Sequence, residues 1–389
     1  MRTKFGLGAL LIVWVAVLFY SCSKNKDKKV DPQAGAVVYA VSEYGKIYAI
    51  DAGTGIPKWV YLAKGNINSS PIVDAGTLYI ADVRGRFVAI DVNNGKEKWF
   101  HNLGSGNVTS AIVANNIIYL TSRGACFALS PEDGSVLWKF ETEENIYASP
   151  AVDNETVYVG NLENYLHAID GKTGKEKWKF CTEGEIYESP VIRNGTVYVS
   201  DYNNDAGVYA FDANSGQLKW KTNIEGNYYV GQPVASDSGL YVMKGNQLLS
   251  FDLITGKQIW SAKTDPNLSF VVPIPTLVNG LVYVQGYYQQ GNVYACWLRA
   301  INAETGQPIW LHESKSNKPF FFNSLNASFA PTASGDYVYF ASQDGHLRSV
   351  DARTGKEIWA FNADETLNGS PCVVTAQGHV RRGLGQVDL

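Results

Sequence analysis

The sequence is short of methionine, with 2 in 389 residues, and carries only 5 cysteines. No C-x-x-C pair occurs and no histidine stands beside a cysteine at metal-ligand spacing, so zinc-ribbon, thioredoxin-like and haem-attachment readings fall away. H-E-x-x-H and G-x-S-x-G are absent, which removes the zincin and α/β-hydrolase signatures. The five histidines, His101, His167, His312, His346 and His379, are scattered. Positive charge is not in excess either: 33 Lys and Arg face 37 Asp and Glu, a net charge of −4, which leaves no basic footprint for nucleic acid. What the chain does have is 10 Trp, 23 Tyr and 37 Gly among alternating Val, Tyr and Ile runs, the composition of an all-β protein rich in tight turns.

The N-terminus reads as a targeting segment. Arg2 and Lys4 precede Phe5–Tyr20, 16 residues without a charge, too short for a comfortable membrane span. Ser21 before Cys22 resembles the bacterial lipoprotein signal, which implies a signal peptide over 1–21 and acylation of Cys22. A secretory signal cut elsewhere and an uncut anchor are the alternatives. Residues 22–35 are polar and form a flexible tether. The remaining cysteines, Cys126, Cys181, Cys296 and Cys372, lie mostly in apolar strand-like runs and read as small hydrophobes, with a disulfide open in an oxidising compartment.

The stretch DGKTGKEKW, from Asp170 to Trp178, contains the Gly-Lys-Thr of a phosphate loop but lacks that loop's first glycine. It is instead one of eight copies of a single unit, with Gly four residues after the first position and Trp four after Gly. The tryptophans are Trp59, Trp99, Trp138, Trp178, Trp220, Trp260, Trp310 and Trp359, separated by 40, 39, 40, 42, 40, 50 and 49 residues. Between them runs a second beat, a Ser-Pro-like step and an apolar run, as in SPIV from Ser70, SPAV from Ser149 and SPCV from Ser370. Each unit supplies four short strands that cannot bury both faces alone. Radial packing of the units predicts an eight-bladed β-propeller of four-stranded antiparallel blades over 36–389. The first Trp unit lacks a Ser-Pro strand and the last Ser-Pro strand lacks a Trp unit, so the C-terminal strand is predicted to complete the first blade and close the ring. In each turn the leading Asp, Asn or Ser accepts a backbone N–H two residues on, Gly supplies positive φ, and Trp fills the gap between blades.

An A-x-D-x-x-T-G-x-x-x-W unit in eight copies resembles the tryptophan-docking repeat of the PQQ-like propeller superfamily, over essentially the whole mature chain. Of its two branches, the quinoprotein dehydrogenases hold PQQ and calcium on the ring axis and usually carry long insertions and, in many members, an adjacent-cysteine disulfide. This chain has neither. The non-catalytic branch, which includes the BamB-like outer-membrane lipoproteins, fits its size, blade number and lipoprotein signal. That branch implies no cofactor, a protein-binding role and an envelope partner such as a β-barrel assembly complex. Two other functions stay open: a PQQ-dependent oxidoreductase of reduced size and a carbohydrate-binding surface lipoprotein.

Short, similar turns follow the first and third strands of each blade, so variable loops after the second and fourth strands share the opposite face, where binding residues are expected. The Trp260–Trp310 and Trp310–Trp359 steps are longest, and their extra residues are aromatic. Phe270, Tyr287, Tyr288, Phe320, Phe321 and Phe322 form the candidate binding patch, either exposed to a partner or packed inward. Asp201, Asn203, Asn204 and Asp205 make an acidic loop without EF-hand spacing, read as a turn rather than a calcium site. His346 reads as a solvated loop residue. No catalytic residue is assigned.

Overall fold

The fourth unit shows how these residues make a blade. Its strands are Ala151–Asp153, Thr156–Gly160, Tyr165–Asp170 and Glu176–Cys181, here called A to D, and they pair in chain order with antiparallel register. Strand B, TVYVG, is buried at every position, and strand C is buried at four of six. Such continuous apolar runs suit strands covered on both faces. Strand D alternates exposed and half-buried residues, as an outer edge strand should.

The computed structural model describes residues 35–382 except 105, 107, 204–205, 227–228, 265–269, 272–273, 317–329 and 343. These residues form eight antiparallel sheets, numbered here as blades 1 to 8 by their tryptophans, and no helix occurs among them. The signal peptide, Cys22 and the tether up to residue 34 lie outside the described residues, as do Phe320, Phe321 and Phe322.

Closure runs through blade 1. Its strands B to D are Val37–Ser42, Lys46–Asp51 and Pro57–Leu62, and the C-terminal strand Leu367–Val374 pairs with Val37–Ser42 from the inner side. Two blades depart from four strands. In blade 1 a further strand, Val380–Arg382, pairs with Leu367–Val374 on the axial side. In blade 7, where a variable loop is expected after the second strand, residues 285–292 instead form the end of a long hairpin of Leu281–Gln290 and Val293–Asn302, with Phe270–Val271 added beside its outer half. The extra residues become sheet because pairing satisfies backbone groups that a loop would leave to solvent.

Neighbouring blades are joined at the tryptophans. In every blade the C–D ladder slips by one residue beside the Trp. In blade 4, Ala168 faces Trp178 but Ile169 faces Glu176, so Lys177 is the extra residue of a bulge. Trp178 Nε1 donates to the Ala213 carbonyl in the C–D turn of blade 5, at 3.1 Å, and the Tyr158 hydroxyl donates to the same oxygen at 3.0 Å. A carbonyl with two lone pairs accepts both. The two rings lie 5.8 Å apart. The same sharing of one carbonyl joins Tyr119 and Trp138 at Gly171, Tyr198 and Trp220 at Leu253, Tyr241 and Trp260 at Ala303, and Tyr283 and Trp310 at Ala352. At the closure, Tyr339 and Trp359 of blade 8 donate to Ala52 of blade 1. Trp59 and Trp99 reach Val92 and Pro131 in the same way.

The turn that offers the carbonyl is locked by its own side chains. Asp170 Oδ1 accepts Lys172 N–H at 3.2 Å, Thr173 N–H at 2.9 Å and the Thr173 hydroxyl at 2.8 Å. Ser130 has only its hydroxyl to offer and accepts Glu132 N–H at 3.2 Å. Gly216 of the next turn has φ of +71°, and a Cβ there would lie 2.6 Å from the Trp178 ring. Glycine is therefore needed twice, for conformation and for the space the indole occupies.

Trp178→Ala is expected to cost about 3–5 kcal/mol in urea denaturation, the range for emptying an aromatic site. Gly216→Ala is expected to destabilise by itself but to cost less in the Trp178→Ala background, where the clash is gone. Strictly additive losses, or an unchanged midpoint for Trp178→Ala, would reject this account of the blade joint.

Candidate functional site

Hydrogen bonds fix the variable face. In blade 4, Leu162 N–H in the B–C loop donates to Asn145 in the loop entering that blade, at 3.1 Å. Ile186 N–H, in the loop entering blade 5, donates to Asn161 at 3.1 Å. Glu185 and Tyr202 exchange backbone bonds of 3.2 and 2.8 Å. Entry loops and B–C loops thus form one continuous rim, and side chains on it are held by backbone rather than left to wander.

Along that rim four tyrosines lie ring against ring. Tyr147 stacks on Tyr187 at 6.1 Å between centroids and 3° between planes. Tyr187 meets Tyr202 at 5.7 Å and 88°, and Tyr202 meets Tyr229 at 6.0 Å and 46°. They come from the loops entering blades 4, 5 and 6 and from the B–C loop of blade 5. Tyr147, Tyr202 and Tyr229 remain 45%, 44% and 41% exposed, whereas the strand-B tyrosines at the blade joints are buried. Two carboxylates sit within the arc. Tyr187 donates its hydroxyl to Glu185 Oε2 at 2.6 Å, and Tyr229 donates to Glu188 Oε1. The bond to Glu185 pushes the Tyr187 phenol up to about 12. Desolvation pushes the Glu188 carboxyl up to about 7, against the Tyr229 bond that acts to lower it.

Of the residues expected to form a patch at blade 7, Phe270, Tyr287 and Tyr288 are among the described residues. Phe270 and Tyr287 are cross-strand partners in the added strand and the hairpin. Tyr288 turns to the other side of its strand, packs on the cluster containing Tyr241, Met243 and Trp297, and donates to Glu313 at 2.7 Å. Both tyrosines are half-buried. Tyr288 thus follows the inward alternative.

Other candidates resolve into structure. Asp201 is buried, and its two oxygens accept Gly207 N–H at 2.6 Å and the Tyr209 hydroxyl at 2.8 Å, so its carboxylate is engaged by its own blade. No group of three or more His, Cys, Asp or Glu among the described residues could hold a metal ion. His346 Nδ1 lies 3.3 Å from Asp344, whose carboxylate grips the buried Arg348 at 2.5 Å. The four described cysteines are thiols; Cys126, Cys296 and Cys372 are buried, and Cys181 is exposed.

The arc was missed in the sequence because its loops are read one at a time. A signal was present: Ile-Tyr stands two residues before Ser-Pro at Tyr147 and Tyr187, where Asn68 and Asn368 occupy the matching position of other copies.

The family model described as "Outer membrane protein assembly factor BamB" matches residues 13–146, 122–228 and 204–371. The chain belongs to this family of PQQ-like repeat propellers. Outer membrane protein assembly factor BamB of Burkholderia pseudomallei is 23% identical over 354 residues, covering 88% of this chain and 76% of that protein. Lupanine 17-hydroxylase [cytochrome c] of a Pseudomonas species is 31% identical over 160 residues, 36% of this chain and 21% of that protein. The chain thus spans about a fifth of that relative's length, and 18% and 14% of the two curated relatives next to it in similarity. Among solved structures, BamB from Moraxella catarrhalis matches with a TM-score of 0.62 at 19% identity, over 80% of this chain and 92% of that one. Quinohemoprotein alcohol dehydrogenase from Comamonas testosteroni matches at 0.63 and 15%, over 84% and 75%. At such identities the likeness is one of fold.

The Glu188 carboxyl gives a test of the arc's geometry. Its folded-state value stands above the ordinary 4.5, so the folded chain holds a proton that the unfolded chain releases at lower pH. Stability from this group is therefore lost as pH rises from about 4.5 through about 7. Melting curves at acid and mildly alkaline pH should show a smaller fall for Glu188→Gln than for wild type. An identical fall in both would place the carboxyl in open solvent.

Proposed function

We propose that this chain is a non-enzymatic propeller, tethered to the bacterial envelope through lipid on Cys22, that binds other proteins in outer-membrane protein assembly. The observation that carries the reading is the exposed tyrosine arc on a rigid rim of variable loops, since rigid aromatic side chains are the usual anchors of protein interfaces. Sequence similarity to a BamB over most of both chains supports the same reading, whereas sequence similarity to the quinoprotein alcohol dehydrogenases covers only 11–14% of their length. The partner is an envelope protein of the β-barrel assembly machinery. The lipoprotein-like signal over 1–21 and the polar tether over 22–35 support a propeller held at the outer membrane by acyl chains worth about 0.8 kcal/mol per buried methylene.

Quinoprotein chemistry is the second reading, favoured by the 31% identity to quinohemoprotein alcohol dehydrogenase of Comamonas testosteroni over 108 residues. It is tested by adding PQQ with calcium and looking for a redox-active absorbance, which the first reading expects to be missing.

Affinity purification of the full chain from envelope membranes is expected to recover β-barrel assembly proteins. Recovery of polysaccharide alone, or of no protein, would overturn the reading. Cys22→Ser should move the chain from the membrane pellet to the soluble fraction; retention in the pellet would rule out Cys22 as the anchor.

A further inference from the structure

We propose that the tyrosine arc of blades 4 to 6 is the docking site for an extended, arginine-bearing segment of a protein partner. The proposal rests on the reading of the chain as a protein-binding scaffold and names the chemistry of what it binds.

Charge is the first argument. The described residues of the five loops that build this part of the rim are 142–149, 161–164, 182–189, 201–203 with 206, and 224–226 with 229–232. Together they contain eight acidic residues and no Lys, Arg or His. Glu143, Glu144, Glu183 and Glu225 are exposed around the rings. Three cations adjoin these loops from outside them: Lys221 of blade 5 strand D pairs with Glu183 at 2.5 Å, Lys244 at the end of blade 6 strand B pairs through its backbone with Val230, and Arg123 lies in the B–C turn of blade 3. One sign of charge concentrated on a surface raises the local concentration of the opposite sign.

Ring chemistry is the second. Aromatic faces alone would suit a sugar, an apolar side chain or a cation. Beside carboxylates they favour the cation, because the ring quadrupole and the negative charge attract it together. Glu185 and Glu188 each accept one tyrosine hydroxyl, through Oε2 and Oε1 respectively, and among the described residues no bond engages the second oxygen. A planar guanidinium can stack on a ring and fork to a carboxylate, which an ammonium cannot do.

Spacing is the third. Successive ring centroids are 6.1, 5.7 and 6.0 Å apart. An extended chain places same-side residues about 6.6–6.8 Å apart, twice its rise per residue. A strand with arginine at alternate positions can therefore set one guanidinium against each tyrosine in turn.

The test is fluorescence anisotropy with the full chain and labelled peptides of roughly twelve residues, alternating Gly-Arg, Gly-Lys or Gly-Glu. The Gly-Arg peptide is expected to bind saturably, roughly tenfold tighter than Gly-Lys, and to weaken as salt rises. Gly-Glu should not bind. Tyr187→Ala with Tyr202→Ala should weaken binding at least about tenfold. Glu143→Gln with Glu144→Gln, both exposed and remote from the core, should weaken it without changing the melting temperature, which keeps the test valid if the tyrosine variant unfolds. Equal affinity for Gly-Arg and Gly-Glu, binding of a neutral oligosaccharide in place of Gly-Arg, or unchanged Gly-Arg affinity in the glutamate variant would overturn the proposal. Envelope purification separates the two levels. If the glutamate variant recovers the same proteins as wild type and Gly-Arg does not bind, the arc proposal fails and the scaffold reading stands. If wild type recovers no protein, the scaffold reading fails on its own.

Discussion

One indole hydrogen bond per blade organises the molecule. A propeller blade is a small sheet with apolar character on both faces, stable only when covered on both sides, and the contact between blades must repeat with the same geometry eight times for the ring to close. The Trp–carbonyl contact meets that demand. It combines a directional bond, which fixes the angle between blades, with a large flat ring, which excludes water from the joint. The bulge beside each Trp aims it, the glycine opposite leaves room for it, and the strand-B tyrosine shares its acceptor in six of the blades. Because Trp359 makes the same contact with the turn at Ala52 as Trp178 makes with Ala213, the join between first and last blades is energetically one more joint rather than a seam.

That rigidity has a functional consequence. The face carrying the C–D turns is committed to holding blades together, and its side chains are consumed by that work. The opposite face has no such duty, so its loops can vary while their backbones remain tied to one another. The tyrosine arc belongs to that freedom. Its rings are neither buried like the strand-B tyrosines nor isolated on the surface, and they lie among loops whose charged residues are acidic.

The sequence made the ring legible because its constraint is periodic. Gly174 and Trp178 have counterparts in every copy, and the missing Ser-Pro strand of blade 1 matched the unpaired one at Ser370. The shared Tyr–Trp acceptor was also within reach, since Tyr39, Tyr79, Tyr119 and Tyr158 recur at one place in strand B, but a tyrosine in a β-strand is ordinary enough to escape notice. Blade 7 was misread in part: aromatic residues such as Tyr287 and Tyr288, in excess of the period, looked like a loop. They extend a hairpin because a third segment, Phe270–Val271, was available to pair with it, a long-range fact that no local pattern contains.

The candidate site shows the same division. Composition, repeat and turn chemistry determined the fold class, the number of blades, the closure and the face on which binding residues should be sought. They could do so because each of these follows from spacing along the chain. Tertiary structure alone decided which loop residues meet. Tyr147 and Tyr187 stand one repeat apart, but Tyr202 comes from a different loop and Tyr229 is three residues rather than two before its Gln-Pro step, so the four share no single motif. They form one surface only because the closed ring sets three blades side by side and backbone bonds between neighbouring loops hold their rings within contact.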